Sequence, residues 1–364
     1  MSTVAVLGAG FTRAFVPSAP LLIDDYGIGD IVEAFTHFPH ARRVLESSIL
    51  PDGRVNIEQL LTRLDNLLPY DVEQGAGPQL ALLRTSLMTR FRESIDQARR
   101  AERDEESLSA MAQLVIDERV ECITFNYDDV FDEALRDVKG VTNTGTTDTY
   151  WHPDGGYGFF CKPSKTLIRE SGMSPVVMDT TCILLLKLHG SINWRIRRGS
   201  SRPLAIDSIV HDEDWLPRGN RFGDLVDDDE PTTPDEAQRR RRVILDHLEG
   251  EPFIIPPVLV KGSLVLEPIL RLVWWRALEA LAAADRVLFL GYSMPLTDIA
   301  GQHLFREGIR PNVNVNVINY TPDGSIDQEI VKSYSQVLPW LGKDDFEFGG
   351  IVPWLHETTA REEH

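Results

Sequence analysis

The residues best suited to chemistry in this chain stand where short apolar runs end. His189 closes one such run in TCILLLKLHGSINW (181–194) and is followed by Gly190. An imidazole titrates near neutral pH, and a neighbouring glycine lets the backbone approach a ligand closely. The pair therefore suits a general base beside a binding crevice. A histidine in this setting is also a common structural residue, so its companions decide. Asn126 and Asp128, in TFNYD (124–128), follow a second apolar run. An uncharged amide can orient a hydroxyl or a water, while Asp128 or Asp129 has the alternative task of capping the next helix. Gly8-Ala9-Gly10 closes a third run and leads into Phe11 and Thr12. A strand, a glycine turn and the backbone amides after it suit a phosphate group. A complete dinucleotide fingerprint would have Gly or Ala at position 13; Arg13 stands there and tells against a dehydrogenase.

These pieces need strands to position them. Residues 3–7, 183–186 and 286–290 are largely apolar runs of the length expected for parallel strands buried on both faces, and 120–124 (VECIT) and 313–318 (VNVNVI) read as two further strands. In an open sheet of that kind, ligands bind outside the carboxyl ends of the strands. The turns that should meet there are GAGFT (8–12), TFNYD, KLHGS (187–191), GYS (291–293) and Asn319. Between the first two strands, residues 31–118 have apolar side chains at helical spacing, interrupted by a charged, solvated stretch at 99–106. The expectation is an α/β, Rossmann-like parallel sheet in a single domain (1–364), with a large helical insertion after the first strand.

Two variable excursions interrupt that plan. Residues 141–175 are rich in Gly, Thr and aromatic side chains. Residues 197–250 carry an acidic block, two prolines and Arg239–Arg242, which suits either a solvated face or a partner-binding lid. The segment 264–284 reads as an amphipathic helix with Trp274 and Trp275 in the core or at a subunit contact. The tail, 321–364, shows no chemistry; Trp340 and Trp354 would pack it down.

Composition narrows the class. A net charge of −19, from 56 acidic and 37 basic residues, argues against broad contact with nucleic acid, where Lys and Arg must neutralise phosphates. Three widely spaced cysteines (Cys122, Cys161, Cys182) without a CxxC exclude a four-cysteine zinc module and tell against a disulfide framework. Cys122 and Cys182 lie in or beside strands and read as core residues. No apolar run approaches the roughly 18 residues of a membrane span, and the amino terminus lacks signal-peptide features. A cytoplasmic protein is expected, with no membrane contact.

In order and content, the five strand-end pieces resemble the sirtuin family, and in particular its bacterial sirtuin-like branch, the silent information regulator two-like NAD+ hydrolases of anti-phage defence. Sirtuins read GAGxS, TQNxD, HG, GTS or GSS, and a late strand-end Asn. KLHGSINW and LFLGYSMP look especially like the bacterial branch, and the resemblance spans roughly residues 3–320. It implies NAD+ as substrate. By position, the Gly8-Ala9-Gly10 turn with Thr12, which keeps the hydroxyl of the usual Ser, would hold the diphosphate. Asn126 would hold the nicotinamide-side ribose and orient a water, Asp128 would recognise the carboxamide, and His189 would be the general base. Gly291, Ser293 and Asn319 would line the adenosine end.

Two departures shape the expected activity. Phe125 stands where sirtuins have Gln, so ribose contacts must differ. The zinc-binding cysteine quartet is missing, and with it much of the module that forms the acyl-lysine groove. No zinc is expected, and water becomes the natural nucleophile, giving nicotinamide and ADP-ribose. The rivals are a sirtuin-type protein deacylase or ADP-ribosyltransferase, a non-catalytic NAD+ or ADP-ribose-binding subunit, and a phosphate-binding α/β protein. By resemblance, such hydrolases are NAD+-depleting effectors restrained by homo-oligomerisation, by their excursions, or by a partner such as a HerA-like ATPase or a prokaryotic Argonaute.

Overall fold

The computed structural model describes residues 2–141, 147–149, 151, 153–159, 162–163, 183–196, 209–211, 252–255, 267–295 and 297–362. Six strands form the central sheet: β1 (Thr3–Leu7), β2 (Glu121–Thr124), β3 (Leu185–Lys187), β4 (Arg286–Leu290), β5 (Asn314–Ile318) and β6 (Phe346–Glu347). Their order across the sheet is β3-β2-β1-β4-β5-β6, and every pairing is parallel. That is the strand order of a doubly wound dinucleotide-binding sheet, whose topological switch point lies between β1 and β4. The α/β parallel-sheet expectation holds. Strand β1 is buried along its whole length, as a central strand covered on both faces must be. Burial of each of its Val and Leu side chains contributes about 1.5–3 kcal/mol.

The register sets up the site. Leu7 pairs with Thr124 on one side and Leu290 on the other, Thr124 with Lys187, Leu290 with Ile318, and Ile318 with Glu347. All six strands therefore run out in one row. The residues that follow, Gly8, Phe125, Leu188, Gly291, Asn319 and Phe348, emerge along a single carboxyl edge.

The helical block divides differently from the expected 31–118. One packed cluster runs from Tyr26 to Ile95, with Tyr127, Ile192 and Ile254 joining it. It includes the helices Ile57–Asp65 and Gly77–Arg100 and a short antiparallel strand pair, Ile23–Asp24 against Val55–Asn56. The helix Glu105–Asp117 instead puts Leu108, Met111, Ala112 and Val115 into the core of the sheet.

The charged stretch at 99–106 is also not simply solvated. Arg99 pairs with the fully buried Asp129, and Arg103 lies 3.1 Å from Glu133, all four side chains being largely shielded from solvent. The run reads as surface, but it carries the cations that neutralise two buried acids near the start of the helix Val130–Asp137.

After the turn at Leu188 and His189, a strand Gly190–Ile196 leaves the central sheet and pairs antiparallel with Ile209–His211 and Pro252–Ile254. Of the excursions 141–175 and 197–250, only short pieces fall within the described residues, and the 215–245 loop, Cys161 and Cys182 lie outside them. No helix among the described residues is long and apolar enough to cross a membrane.

Candidate functional site

At the switch point the turns after β1 and β4 press together. The Gly8 N–H donates to the Leu290 carbonyl at 3.1 Å, and the Gly10 N–H to the Gly291 carbonyl at 2.9 Å. Gly291 has a left-handed φ of +63°, and a Cβ added there would lie 2.2 Å from the Phe11 nitrogen; one on Gly10 would lie 2.8 Å from the Gly291 oxygen. The glycines on both sides are thus required by backbone contact. Gly10 shapes the rim, but its N–H is engaged.

A cavity of about 1190 Å³ opens over this crossing. Every residue assigned a ligand role from the sequence lines it: Gly8, Ala9, Gly10, Thr12, Asn126, Asp128, His189, Gly291, Ser293 and Asn319. The parallel register explains the convergence, since all of them follow strand ends that finish in one row.

Asn126 is held in one orientation. Its Nδ2 donates to the Gly8 carbonyl at 2.8 Å and to Thr12 Oγ1 at 3.0 Å. A carbonyl oxygen only accepts, so the nitrogen must face Gly8. With both amide hydrogens engaged, Oδ1 is the group the side chain offers to the cavity: an acceptor. Thr12 passes the chain on, its hydroxyl donating to Asp128 Oδ2 at 2.9 Å, while Asp128 Oδ1 accepts from the Val130 N–H at 3.1 Å. Asp128 thus caps the next helix as well as facing the cavity. Asp129, the residue at the N-cap position, makes no side-chain cap bond.

His189 is buried in an aromatic surround. The Tyr127 ring stacks over it at 5.8 Å, Phe125 meets it edge-on at 5.3 Å, and Trp274 lies 6.3 Å away. Trp274 also donates from Nε1 to the Leu188 carbonyl at 2.8 Å, fixing the turn from outside, whereas Trp275 on the same helix is exposed. Phe125 packs on Tyr292 at 4.7 Å, so the residue that replaces the expected Gln builds an apolar wall. Burial, with nearby Glu58 and Asp298, holds the Tyr127 phenol well above its ordinary value; burial first and Asp298 next do the same for Tyr292. Both are neutral walls at physiological pH.

Beneath the site is a buried polar chain. Lys187 Nζ lies 3.0 Å from Asp132 Oδ2 and also donates to the Asp128 carbonyl. Asp132 accepts from the Tyr157 hydroxyl at 2.6 Å, and Tyr157 accepts from Asn193 Nδ2 at 2.8 Å. Burial raises the Asp132 carboxyl above its ordinary value, with the Lys187 ammonium opposing. Ser191 and Asn193, which follow His189 closely in sequence, lie on the strand Gly190–Ile196 and do not line the cavity.

Two contributions were not foreseen. The helical block supplies Arg54, Asn56 and Glu58 to the wall, and Glu58 accepts a hydrogen bond from Thr297 in the segment after β4. The tail is not inert: Gly349–Pro353, at the start of the helix Ile351–Glu362, lines the mouth beside Tyr320. Gly350 is placed there by its N–H to the Asn319 carbonyl at 2.9 Å. Asn319 itself donates from Nδ2 to the Tyr292 carbonyl at 3.1 Å.

Fold and site together define an α/β protein with a large cavity at the switch point of a Rossmann-like parallel sheet. No protein-family model matches the chain, and no curated protein matches it. Among solved structures it is similar to one from work on the structural basis for the mechanism and regulation of Sir2 enzymes, with 13% identity over 93% of this chain and 92% of that one, at a TM-score of 0.35.

Proposed function

We propose that this chain is a sirtuin-like NAD+ glycohydrolase, cleaving NAD+ to nicotinamide and ADP-ribose. The observation that carries the reading is the convergence of Asn126, Asp128 and His189 in a large cavity at the switch point of a β3-β2-β1-β4-β5-β6 sheet. Its volume exceeds the roughly 300–1,000 Å³ usual for small-molecule pockets and suits an elongated dinucleotide.

The chemistry asks little of the protein. Nicotinamide leaves with the electron pair of the glycosidic bond and departs neutral, so no general acid is needed. The ribose carbon gains positive character and takes a water, whose proton must be removed. Asn126 Oδ1 accepts from that water or from a ribose hydroxyl, and the His189 imidazole takes the proton and returns it to solvent. Asp128 accepts from the carboxamide. The walls of Phe125, Tyr127 and Tyr292 keep other water away. The sequence resemblance extends this reading to an NAD+-depleting effector of anti-phage defence, cytoplasmic and held silent by self-association or by a HerA-like or Argonaute partner.

The test is NAD+ loss and nicotinamide release by the purified protein, beside Asn126→Ala and His189→Ala, each checked for folding by thermal melting. Turnover lost in both folded variants supports the hydrolase. A wild type that binds NAD+ tightly yet leaves it intact, even in cells carrying the neighbouring genes under phage challenge, overturns catalysis in favour of a binding subunit.

A further inference from the structure

A diphosphate needs donors, and the glycine turn has few to give. The Gly10 N–H is engaged with the Gly291 carbonyl, the Thr12 hydroxyl donates to Asp128, and both amide hydrogens of Asn126 are taken. The negative charge of a dinucleotide must be met elsewhere on the wall. Apart from its tyrosines, the ionisable side chains there are Arg13, Arg54, Glu58, Asp128, His189 and Asp298. Among the described residues lining the cavity, Arg13 and Arg54 are therefore the only permanent cations.

They come from the two packed units. Arg13 lies on the helix Ala9–Phe15, one residue beyond Thr12. Arg54 immediately precedes the strand Val55–Asn56, which leads into the helix Ile57–Asp65 of the helical unit. The strand pair Ile23–Asp24 and Val55–Asn56 brings them to one rim, because Asp24 pairs with Val55 and Arg13 Nη1 lies 3.3 Å from Asp24 Oδ2. Each guanidinium is steadied from one side. Arg13 donates to the Ala19 carbonyl at 2.8 Å, and Arg54 holds Asp52 through Nε at 2.8 Å. Neither Asp24 nor Asp52 lines the cavity, so these carboxylates orient the arginines without occupying the space before them. A guanidinium carries five N–H donors in a rigid fork, so each keeps hydrogens for a ligand.

We propose that Arg13 and Arg54 form a two-sided clamp for the diphosphate of the bound dinucleotide, the glycine turn supplying close approach rather than charge. This rests on the NAD+ reading for its ligand. Because both side chains are partly exposed, the clamp works at the mouth and its pull is screened by salt.

The probes are ADP and adenosine, titrated calorimetrically, so that no turnover is needed. ADP binds the wild type far more tightly than adenosine and weakens as salt rises. Arg13→Gln and Arg54→Gln each weaken ADP roughly tenfold, as expected for a lost charge-assisted hydrogen bond, and leave adenosine unchanged. Arg13→Lys, which keeps the charge without the fork, recovers part of the loss. Equal ADP affinity in the wild type and the double Gln variant overturns the clamp, as does a wild type that does not bind ADP. The two readings separate cleanly. NAD+ cleavage with an unchanged KM in the double variant removes the clamp and leaves the hydrolase. Arginine-dependent ADP binding without any NAD+ cleavage does the reverse.

Discussion

Asn126 Nδ2 lies 2.8 Å from the Gly8 carbonyl, tying the turn after β2 to the turn after β1 across the floor of the cavity. The same nitrogen reaches Thr12, so one side chain both fixes two turns and aims its oxygen at the ligand space. Structure and chemistry are coupled at this residue. Asn126→Ala should abolish NAD+ cleavage and also cost about 1–3 kcal/mol, from two lost hydrogen bonds partly offset by water. Asn126→Asp should be no better, since it sets an acceptor against the Gly8 carbonyl. Urea melts and nicotinamide release check both; full activity in Asn126→Ala would remove Asn126 from the mechanism.

The contact between the glycine turns makes a sharper prediction about folding. Gly291 and Gly53 both have positive φ, +63° and +85°, but only Gly291 has backbone where a Cβ would go. Gly53→Ala should cost about 1–2 kcal/mol, the ordinary penalty of a left-handed L-residue. Gly291→Ala carries that penalty and must also push the β1 turn away, so its loss should be clearly larger and should distort the cavity. Equal melting of the two variants would show that the turns can separate freely.

Much of this was legible in sequence, for a physical reason. Parallel strands buried on both faces read as near-continuous apolar runs, and 3–7 and 286–290 stand out with glycine directly after them, whereas 313–318 alternates Val with Asn before Ile318 and is followed by Asn319. The common register then brings their ends together. What escaped notice had no such signature. Phe346–Glu347 is two residues long and has no periodicity, so the sixth strand was hidden in the tail. Arg99 and Arg103 look like any surface charge because their partners, Asp129 and Glu133, come after an intervening strand. Glu58 sits in an ordinary amphipathic helix; only the packing of that helix against the segment after β4 turns it toward the cavity. Arg13 was visible solely as a misfit to a fingerprint.

Glu58 offers a third test. Its carboxylate is buried and accepts from Thr297, joining the helical unit to the segment after β4. Glu58→Gln keeps an acceptor for Thr297 and should retain most of the stability, whereas Glu58→Ala leaves the hydroxyl without this partner and should cost about 1–3 kcal/mol. Chemical denaturation compares the two; identical losses would mean that the Thr297 bond carries no stability.

The buried Lys187–Asp132 pair gives a prediction with a defined pH dependence. The side chains are 0% and 2% exposed, so Lys187→Met strands a carboxylate in the interior, at about 3–5 kcal/mol for a broken buried pair. Burial already raises the Asp132 carboxyl, and the variant loses the Lys187 ammonium that opposes the rise. A folded-state value above the unfolded one means that stability is fully present below the unfolded value and is lost as pH rises through the folded value. The deficit of Lys187→Met, measured against the wild type near neutrality, should therefore shrink as pH falls toward about 4, where an ordinary Asp takes up its proton. Adding Asp132→Asn removes the stranded charge, so the double variant should be more stable than Lys187→Met at neutral pH and should show a flatter profile. Because Lys187 also holds the Asp128 carbonyl, turnover in the double variant should stay low even where stability returns. A deficit that is the same at both pH values would show that the carboxylate is not what destabilises the variant, and that the ammonium matters through its bond to the Asp128 turn alone.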